Sequence, residues 1–352
     1  MEKVKVALVG AGNIANQHLE SYKNVADAEV YAICDIDPVR LKMTADKFGI
    51  ERRYPDIDSM LKDLPELDAA DVCVWNCSHA ECSIKALNAG LHVLCEKPMA
   101  YNTEQAVQMQ EAAKKNNKLL MIGFVLRFSD DAKIAKDFID QGYLGDIYYA
   151  KAQYIRRHGN PGGWFCDKAR SGGGPVIDIG VHVIDLTRYL MGNPRPVSVY
   201  AAAYDNIGKR DNLKTSVGWV PYGAAEKDPC TVEDFATAII RYDNGAVTQL
   251  ETSYSLNGEK VERRALYGTK AGLDLSNGVK LYTTCNDFLA DIDIKTENYK
   301  NSSDLFTNEM AHFIDCVKNG TECRAKAEDG ITVMRILDAI YESAKTGHEV
   351  LL

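Results

Sequence analysis

Long apolar runs are missing from this chain of 352 residues. None approaches the roughly 20 residues that a membrane-crossing helix requires, so a membrane-spanning protein is not expected. Basic charge is also in deficit: 41 Lys and Arg stand against 50 Asp and Glu, a net charge of −9. Nucleic acids and acidic membranes carry the same sign, which argues against either as a partner. Paired C-x-x-C motifs are absent despite ten cysteines, and a strand-like run already at Val4 leads us to expect no signal peptide. Free thiols in a cytoplasmic protein suit this better than a disulfide framework. Cys73, Cys77, His79 and Cys82 have zinc-ligand chemistry, but the run Asp71-Val72-Cys73-Val74-Trp75 reads as a strand. Without the C-x-x-C pairs of structural zinc sites, buried small hydrophobes account for these cysteines, and no metal is expected.

What is present begins at once. Val4-Lys5-Val6-Ala7-Leu8-Val9 reads as a buried strand and runs into Gly10-Ala11-Gly12-Asn13-Ile14-Ala15, a G-x-G-x-x-A turn that opens a helix. Gly10 permits a tight turn, Gly12 removes a side chain where a pyrophosphate would approach, and Ala15 lets the helix pack closely on its strand. The helix start then offers its N–H groups and dipole to the anion. A second run, Val30–Cys34, ends at Asp35, the expected partner of the adenosine ribose hydroxyls. Asp35 would repel a 2′-phosphate, so NAD is favoured over NADP; Arg40, close by in sequence, weakens that preference.

Strand-like runs at 4–9, 30–34, 72–76, 91–95 and 119–122 alternate with helical patterns starting near Asn13, Pro38, Ala80 and Thr103. Such alternation predicts a doubly wound parallel sheet with helices on both faces and a ligand beyond the strands' carboxyl ends. After about Gly123 the pattern changes. A helix over about 130–140 is followed by alternating runs at 147–157, 197–204, 235–242, 246–254 and 261–267, with Asn244-Gly245 at hairpin spacing. This predicts a second, α+β domain with a large, mostly antiparallel sheet, hence domains at 1–123 and 124–352. Residues 205–231 show little periodicity and leave a lid, an oligomer contact or a surface loop open. Helices over about 305–318 and 330–345 close the chain, with Gly320 and Gly347 as their C-terminal caps.

Two segments carry candidate chemistry. Glu96-Lys97-Pro98 sits at the carboxyl end of the strand Leu91–Cys95. A lysine held there by its proline can bind a substrate hydroxyl and help manage its proton. Three glycines and Pro175 lead into a helix on which Asp178 and His182 lie four apart among Val176, Ile177, Ile179, Val181, Val183 and Ile184. On an apolar helix such a pair is either an acid/base site or a self-satisfied core pair, and its spacing alone favours neither.

These segments resemble the Gfo/Idh/MocA oxidoreductases, the family of glucose–fructose oxidoreductase and inositol dehydrogenase. The resemblance rests on 10–15, on Ala86-Leu87-Asn88-Ala89-Gly90-Leu91-His92-Val93-Leu94-Cys95-Glu96-Lys97-Pro98, on the run from Gly172 to Leu186, and on Asn308-Glu309-Met310, Phe313 and Glu328-Asp329-Gly330. Asn76 and His79 match the family's T-P-N-x-x-H, although Val74-Trp75 replaces Thr-Pro. The resemblance implies a Rossmann domain, a second domain whose open sheet joins subunits in dimers or tetramers, and a catalytic group of Lys97, Asp178 and His182, with Lys97–Pro98 often cis. The cofactor contacts expected are Gly10, Gly12, Asn13, Ile14, Asp35, Arg40, Asn76, His79, Glu96 and Lys97. Substrate contacts are expected from Lys97, Asp178 and His182, together with Arg127, Arg157 and Trp164. Surface salt bridges and a core tryptophan are the plain alternatives for those last three.

The implied reaction is reversible oxidation of a secondary hydroxyl on a sugar or cyclic polyol. His182 is the first choice as base, Lys97 as the donor to the reacting oxygen, and Asp178 as the group fixing a neighbouring hydroxyl. Redox-neutral glycoside cleavage with bound NAD, and a non-catalytic NAD-binding regulator, are the two competing functions.

Overall fold

A computed structural model describes residues 2–210, 213–214, 230–296 and 304–352. The greater part of the 205–231 segment therefore lies outside the described residues. The chain forms two compact units, Met1–Val125 with Ser303–Met334, and Leu126–Ser302 with Arg335–Leu352.

The first unit runs β1 (Val4–Val9), α1 (Asn13–Tyr22), β2 (Ala28–Cys34), α2 (Pro38–Phe48), β3 (Arg53–Tyr54), α3 (Ile57–Asp63), β4 (Ala69–Val72), α4 (His79–Asn88), β5 (His92–Glu96), α5 (Thr103–Asn116) and β6 (Leu120–Gly123). The strands pair in parallel in the order β3-β2-β1-β4-β5-β6. The chain winds outward in both directions from the β1/β4 pair, the place where such sheets bind ligands. β1 and β4 are buried almost throughout, as strands covered on both faces must be. Local signals fix the helix ends. Asp37 accepts the Val39 and Arg40 amides at the start of α2, with Pro38 at its first position, and Gly49 in the left-handed region ends it.

β4 starts and ends earlier than the 72–76 expected from sequence. Its first residues, Ala69 and Ala70, are small and give little apolar signal, whereas the conspicuous Cys73, Val74 and Trp75 belong to the following loop.

The second unit contains α6 (Asp130–Asp140), β7 (Ile147–Ile155), α7 (Lys168–Ser171), α8 (Val181–Leu190), β8 (Pro196–Tyr204), β9 (Phe235–Tyr242), β10 (Val247–Ser253), β11 (Val261–Gly268), β12 (Gly272–Asp274), β13 (Lys280–Cys285) and β14 (Phe288–Asp293). Next come α9 (Leu305–Asn319), α10 (Ala327–Thr346) and β15 (Val350–Leu351). The sheet order is β14-β13-β12-β11-β7-β10-β9-β8-β15. Its described neighbours are antiparallel except β7 and β10. Leu186 and Leu190 of α8 pack with Ala150, Leu266, Leu273 and Leu281 on one face of this sheet. Each fully buried leucine contributes about 1.5–3 kcal/mol.

α9 belongs to the first unit, although it follows the second in sequence. Its Phe306 ring lies 5.7 Å from that of His18 on α1. No described helix is long and apolar enough to cross a membrane.

Candidate active site

The candidate nucleotide-binding residues lie on the first unit. Gly10 has φ +101°, and a Cβ there would come within 2.5 Å of the Cys73 carbonyl oxygen. The fold therefore requires glycine at this position. Gly12 is different. Its φ of −76° suits any residue, and a Cβ built on it meets nothing within 4 Å. The protein itself gives no reason for glycine there, whereas a pyrophosphate lying against the backbone does. Asn13 and Ile14 open α1, which has neither a side-chain cap nor an acid in its first turn, and Ala15 is fully buried beneath them. These residues fit NAD: the turn and helix start would hold its pyrophosphate, and β2 would end at its ribose.

Asp35 does more than sequence suggests. One carboxylate oxygen accepts the Ala11 amide at 2.7 Å and the other accepts the Asp37 amide at 2.7 Å, so it ties the glycine turn to the loop after β2. A carboxylate has further lone pairs for hydroxyl donors. Arg40, on the first turn of α2, lies 3.4 Å from Asp37. Gly12→Ala should weaken NAD binding roughly tenfold or more. Unfolding free energy should change by about 1 kcal/mol or less. Calorimetric titration with NAD and a thermal melt check both; unaltered affinity would remove the pyrophosphate from this turn.

Lys97 follows β5, and the Lys97–Pro98 peptide is cis. Its amide donates to Glu96 at 3.0 Å. Asn76 is buried just beyond β4. His79 places Nδ1 2.7 Å from the Pro98 carbonyl and Nε2 3.2 Å from the Val74 carbonyl. Burial lowers its pKa despite these carbonyls. Both ring nitrogens thus face backbone, and His79 acts by bracing the Pro98 loop against the loop after β4. Cys73, Cys77, His79 and Cys82 do not form a single ligand cluster: Cys73 instead lies 3.4 Å from His18 Nδ1.

Beneath Glu96 is a network that sequence reading missed. His18 is fully buried, with Nδ1 2.9 Å from Asp71 and Nε2 3.1 Å from Glu96; the buried Glu309 also reaches this group. Burial by itself lowers the His18 pKa, but the Asp71 and Cys73 charges and hydrogen bonds outweigh it and the net shift is strongly upward. A protonated His18 would donate from both nitrogens, and Glu96 is held on one side by His18 and on the other by the Lys97 amide. The signal was available, since Ala15, His18, Leu19 and Tyr22 form the inward face of α1.

The second unit carries its own group of candidate residues. Gly173 and Gly174 are required by close approach: a Cβ on Gly173 would lie 1.9 Å from the Tyr341 hydroxyl, and one on Gly174 would lie 2.3 Å from the Glu233 carbonyl oxygen. Glu233 accepts the Gly174 and Val176 amides and the Tyr341 hydroxyl, clamping the start of the segment; burial nevertheless raises its pKa. Val176–Gly180 forms a π-helical turn that runs into α8. Such turns recur at functional sites. Within 176–190 every residue is buried except Asp178, His182 and Tyr189. The core-pair alternative is thereby disfavoured, because both Asp178 and His182 keep solvent exposure while their neighbours lose it.

Asp178 accepts the Tyr254 hydroxyl at 2.9 Å. Burial first, and then the Asp178 charge, raise the Tyr254 pKa far above normal, so it stays a donor. Arg156 donates to the Tyr154 hydroxyl. Burial lowers the Arg156 pKa, but Tyr154 and Asp178 together turn the net shift upward. Tyr254 and Arg156 follow the parallel strands β10 and β7 at the same end, which is how the sheet brings them to Asp178. Neither was singled out from sequence.

The expected substrate contacts differ from one another. Arg157 is exposed after β7, and Trp164 is half-buried with its ring 4.0 Å from that of Phe165. Arg127 is a correction. It is 1 % exposed, bonds Asp185 through Nε at 2.9 Å and Nη2 at 2.6 Å, and lies over the Tyr189 ring. A two-pronged buried ion pair uses the guanidinium as a strut to α8 and leaves no surface for a substrate.

Known proteins carry the same two-part design. Residues 4–124 match the model of an oxidoreductase family with an NAD-binding Rossmann fold, and residues 136–352 match that family's C-terminal alpha/beta domain. D-Glucoside 3-dehydrogenase of Escherichia coli (strain K12) is 35% identical, with 99% of this chain and 97% of that protein covered. Myo-inositol 2-dehydrogenase of Thermotoga maritima is 27% identical over 99% and 98%. Levoglucosan dehydrogenase in complex with NADH and levoglucosan has a TM-score of 0.85 at 25% identity, with 99% of both chains covered. The chain belongs to the Gfo/Idh/MocA family and is an NAD-dependent oxidoreductase.

Proposed function

We propose that the protein reversibly oxidises a secondary ring hydroxyl of a sugar or glycoside and that Lys97, Asp178 and His182 carry the chemistry on the substrate side. The observation that carries this reading is the pair Asp178 and His182, left half-exposed in a segment otherwise buried. NAD, when bound, supplies the carbon that accepts the hydride.

The residues divide the remaining work. His182 takes the hydroxyl proton, since imidazole changes charge near neutral pH. Lys97 donates to the same oxygen and stabilises the negative charge that develops on it. Asp178, held by Tyr254, fixes a neighbouring hydroxyl. Trp164 offers a ring face to the C–H surface of a sugar, and Arg157 a donor to its hydroxyls. The 35% identity to a D-glucoside 3-dehydrogenase makes carbon 3 of a D-glucoside the first position to test.

Ten free cysteines suit a reducing compartment and a cytoplasmic enzyme. Tyr149, Tyr200, Ile239, Tyr267 and Tyr282 share the sheet face opposite α8, and Tyr200, Ile239 and Tyr282 are 56%, 40% and 41% exposed. We assign this face to contacts between copies in a homodimer or homotetramer. A screen of methyl glucosides, free aldoses, inositols and sugar acids should give NADH and a keto-glucoside from at least one glucoside, with two or four chains per particle by light scattering. Sugar release without net NADH would instead support the redox-neutral route.

A further inference from the structure

The turn after α9 brings three metal-ligand side chains together outside the site described above. His312 and Cys316 are four apart and share a face of α9. Gly320, in the left-handed region, ends the helix and turns the chain so that Cys323 returns beside them. His312 Nε2, Cys316 Sγ and Cys323 Sγ all lie within 4.8 Å of one another, with His312 Nε2 3.4 Å from Cys316 Sγ. Both cysteines are 8% exposed. Zinc bonds of about 2.0 Å to nitrogen and 2.3 Å to sulfur, at a tetrahedral angle, place such ligands about 3.6–3.8 Å apart.

We propose that His312, Cys316 and Cys323 form a zinc site, with a water molecule completing the tetrahedron. Two thiolates neutralise the ion's charge, and each cysteine releases one proton on binding. The Arg324 amide donates to His312 Nε2 at 3.1 Å, and the Ala325 amide donates to Cys323. On ligation, His312 exchanges the Arg324 hydrogen bond for the metal, and the two amides remain available to the thiolates. The next residues join the parallel sheet: Ala325 accepts the Ile122 amide at 3.0 Å, and Lys326 bridges to Met121. Zinc here would clamp the end of α9 to the edge strand β6. The buried His18 groups are weaker candidates, because both imidazole nitrogens already meet carboxylates.

The test uses the full chain, stripped of metal with a chelator under reducing conditions and titrated with Co²⁺ and then Zn²⁺. Expected are about one Co²⁺ per chain with a thiolate-to-cobalt charge-transfer band, displacement by Zn²⁺, and a higher melting temperature when loaded. Cys323→Ser and His312→Ala should each lose the band or weaken binding at least tenfold, and Cys82→Ser should keep both. No band in the reduced wild-type chain overturns the proposal whether or not the variants fold. So does a Cys316–Cys323 disulfide that persists in protein purified without an oxidant, seen as a mass lower by two hydrogens.

Discussion

Replacing His18 with leucine should lower the free energy of unfolding by about 3–5 kcal/mol at pH 6. Leucine fills a similar volume, so packing is a minor part of the loss. The larger part comes from Asp71 and Glu96, which lose the imidazolium between them and remain buried. The sign of the pH effect distinguishes this from a packing defect. The His18 pKa is raised on folding. Its stabilisation is therefore complete below its unfolded value of about 6.5 and disappears as pH rises through the folded value. Urea denaturation at a series of pH values should show the gap between wild type and variant narrowing toward alkaline pH. A constant gap would mean that His18 is neutral filler. Because Glu96 also accepts the Lys97 amide, folded variant protein should show a lower kcat with little change in NAD affinity.

His182→Ala should lower kcat by a factor on the order of 100 or more. The alanine removes the imidazole from a partly exposed position in a segment otherwise buried. NAD affinity should be unchanged, because the glycine turn lies in the other unit. The acidic limb of the kcat/KM profile should flatten, since protonation of that imidazole no longer limits the reaction. Near-normal turnover with an unchanged acidic limb would shift the base role to Lys97, whose own variant would then show the larger loss.

Much of this architecture was legible in sequence. β1, α1 and the glycine turn declare themselves by an apolar run broken by glycines, and β7 to β11 by alternation. β3, with two residues, and β12, with three, are too short to carry a period. α3 is seven residues long. The β13–β14 hairpin is exposed along most of its length, so burial imposed little alternation on it. The proposed catalytic residues Lys97, Asp178 and His182 stood out in sequence because their neighbours made them anomalous. Arg127 misled for the opposite reason. Its flanking Phe124, Val125 and Phe128 are buried, and that context marks a core position better than a binding one. Tyr254 and Arg156 were invisible because their roles depend on two strands 98 residues apart pairing in parallel, as Gln153 opposite Glu251 shows.

The return of α9 to the first unit has a consequence for dissection of this protein. A gene fragment ending at Val125 encodes all six parallel strands yet lacks the segment carrying Glu309, Phe306 and the Ala325–Ile122 tie. Its product would expose the His18 face of α1 to water and should precipitate or stay molten. Grafting this nucleotide module onto another catalytic partner therefore takes two crossover points rather than one, and recombination in nature faces the same condition.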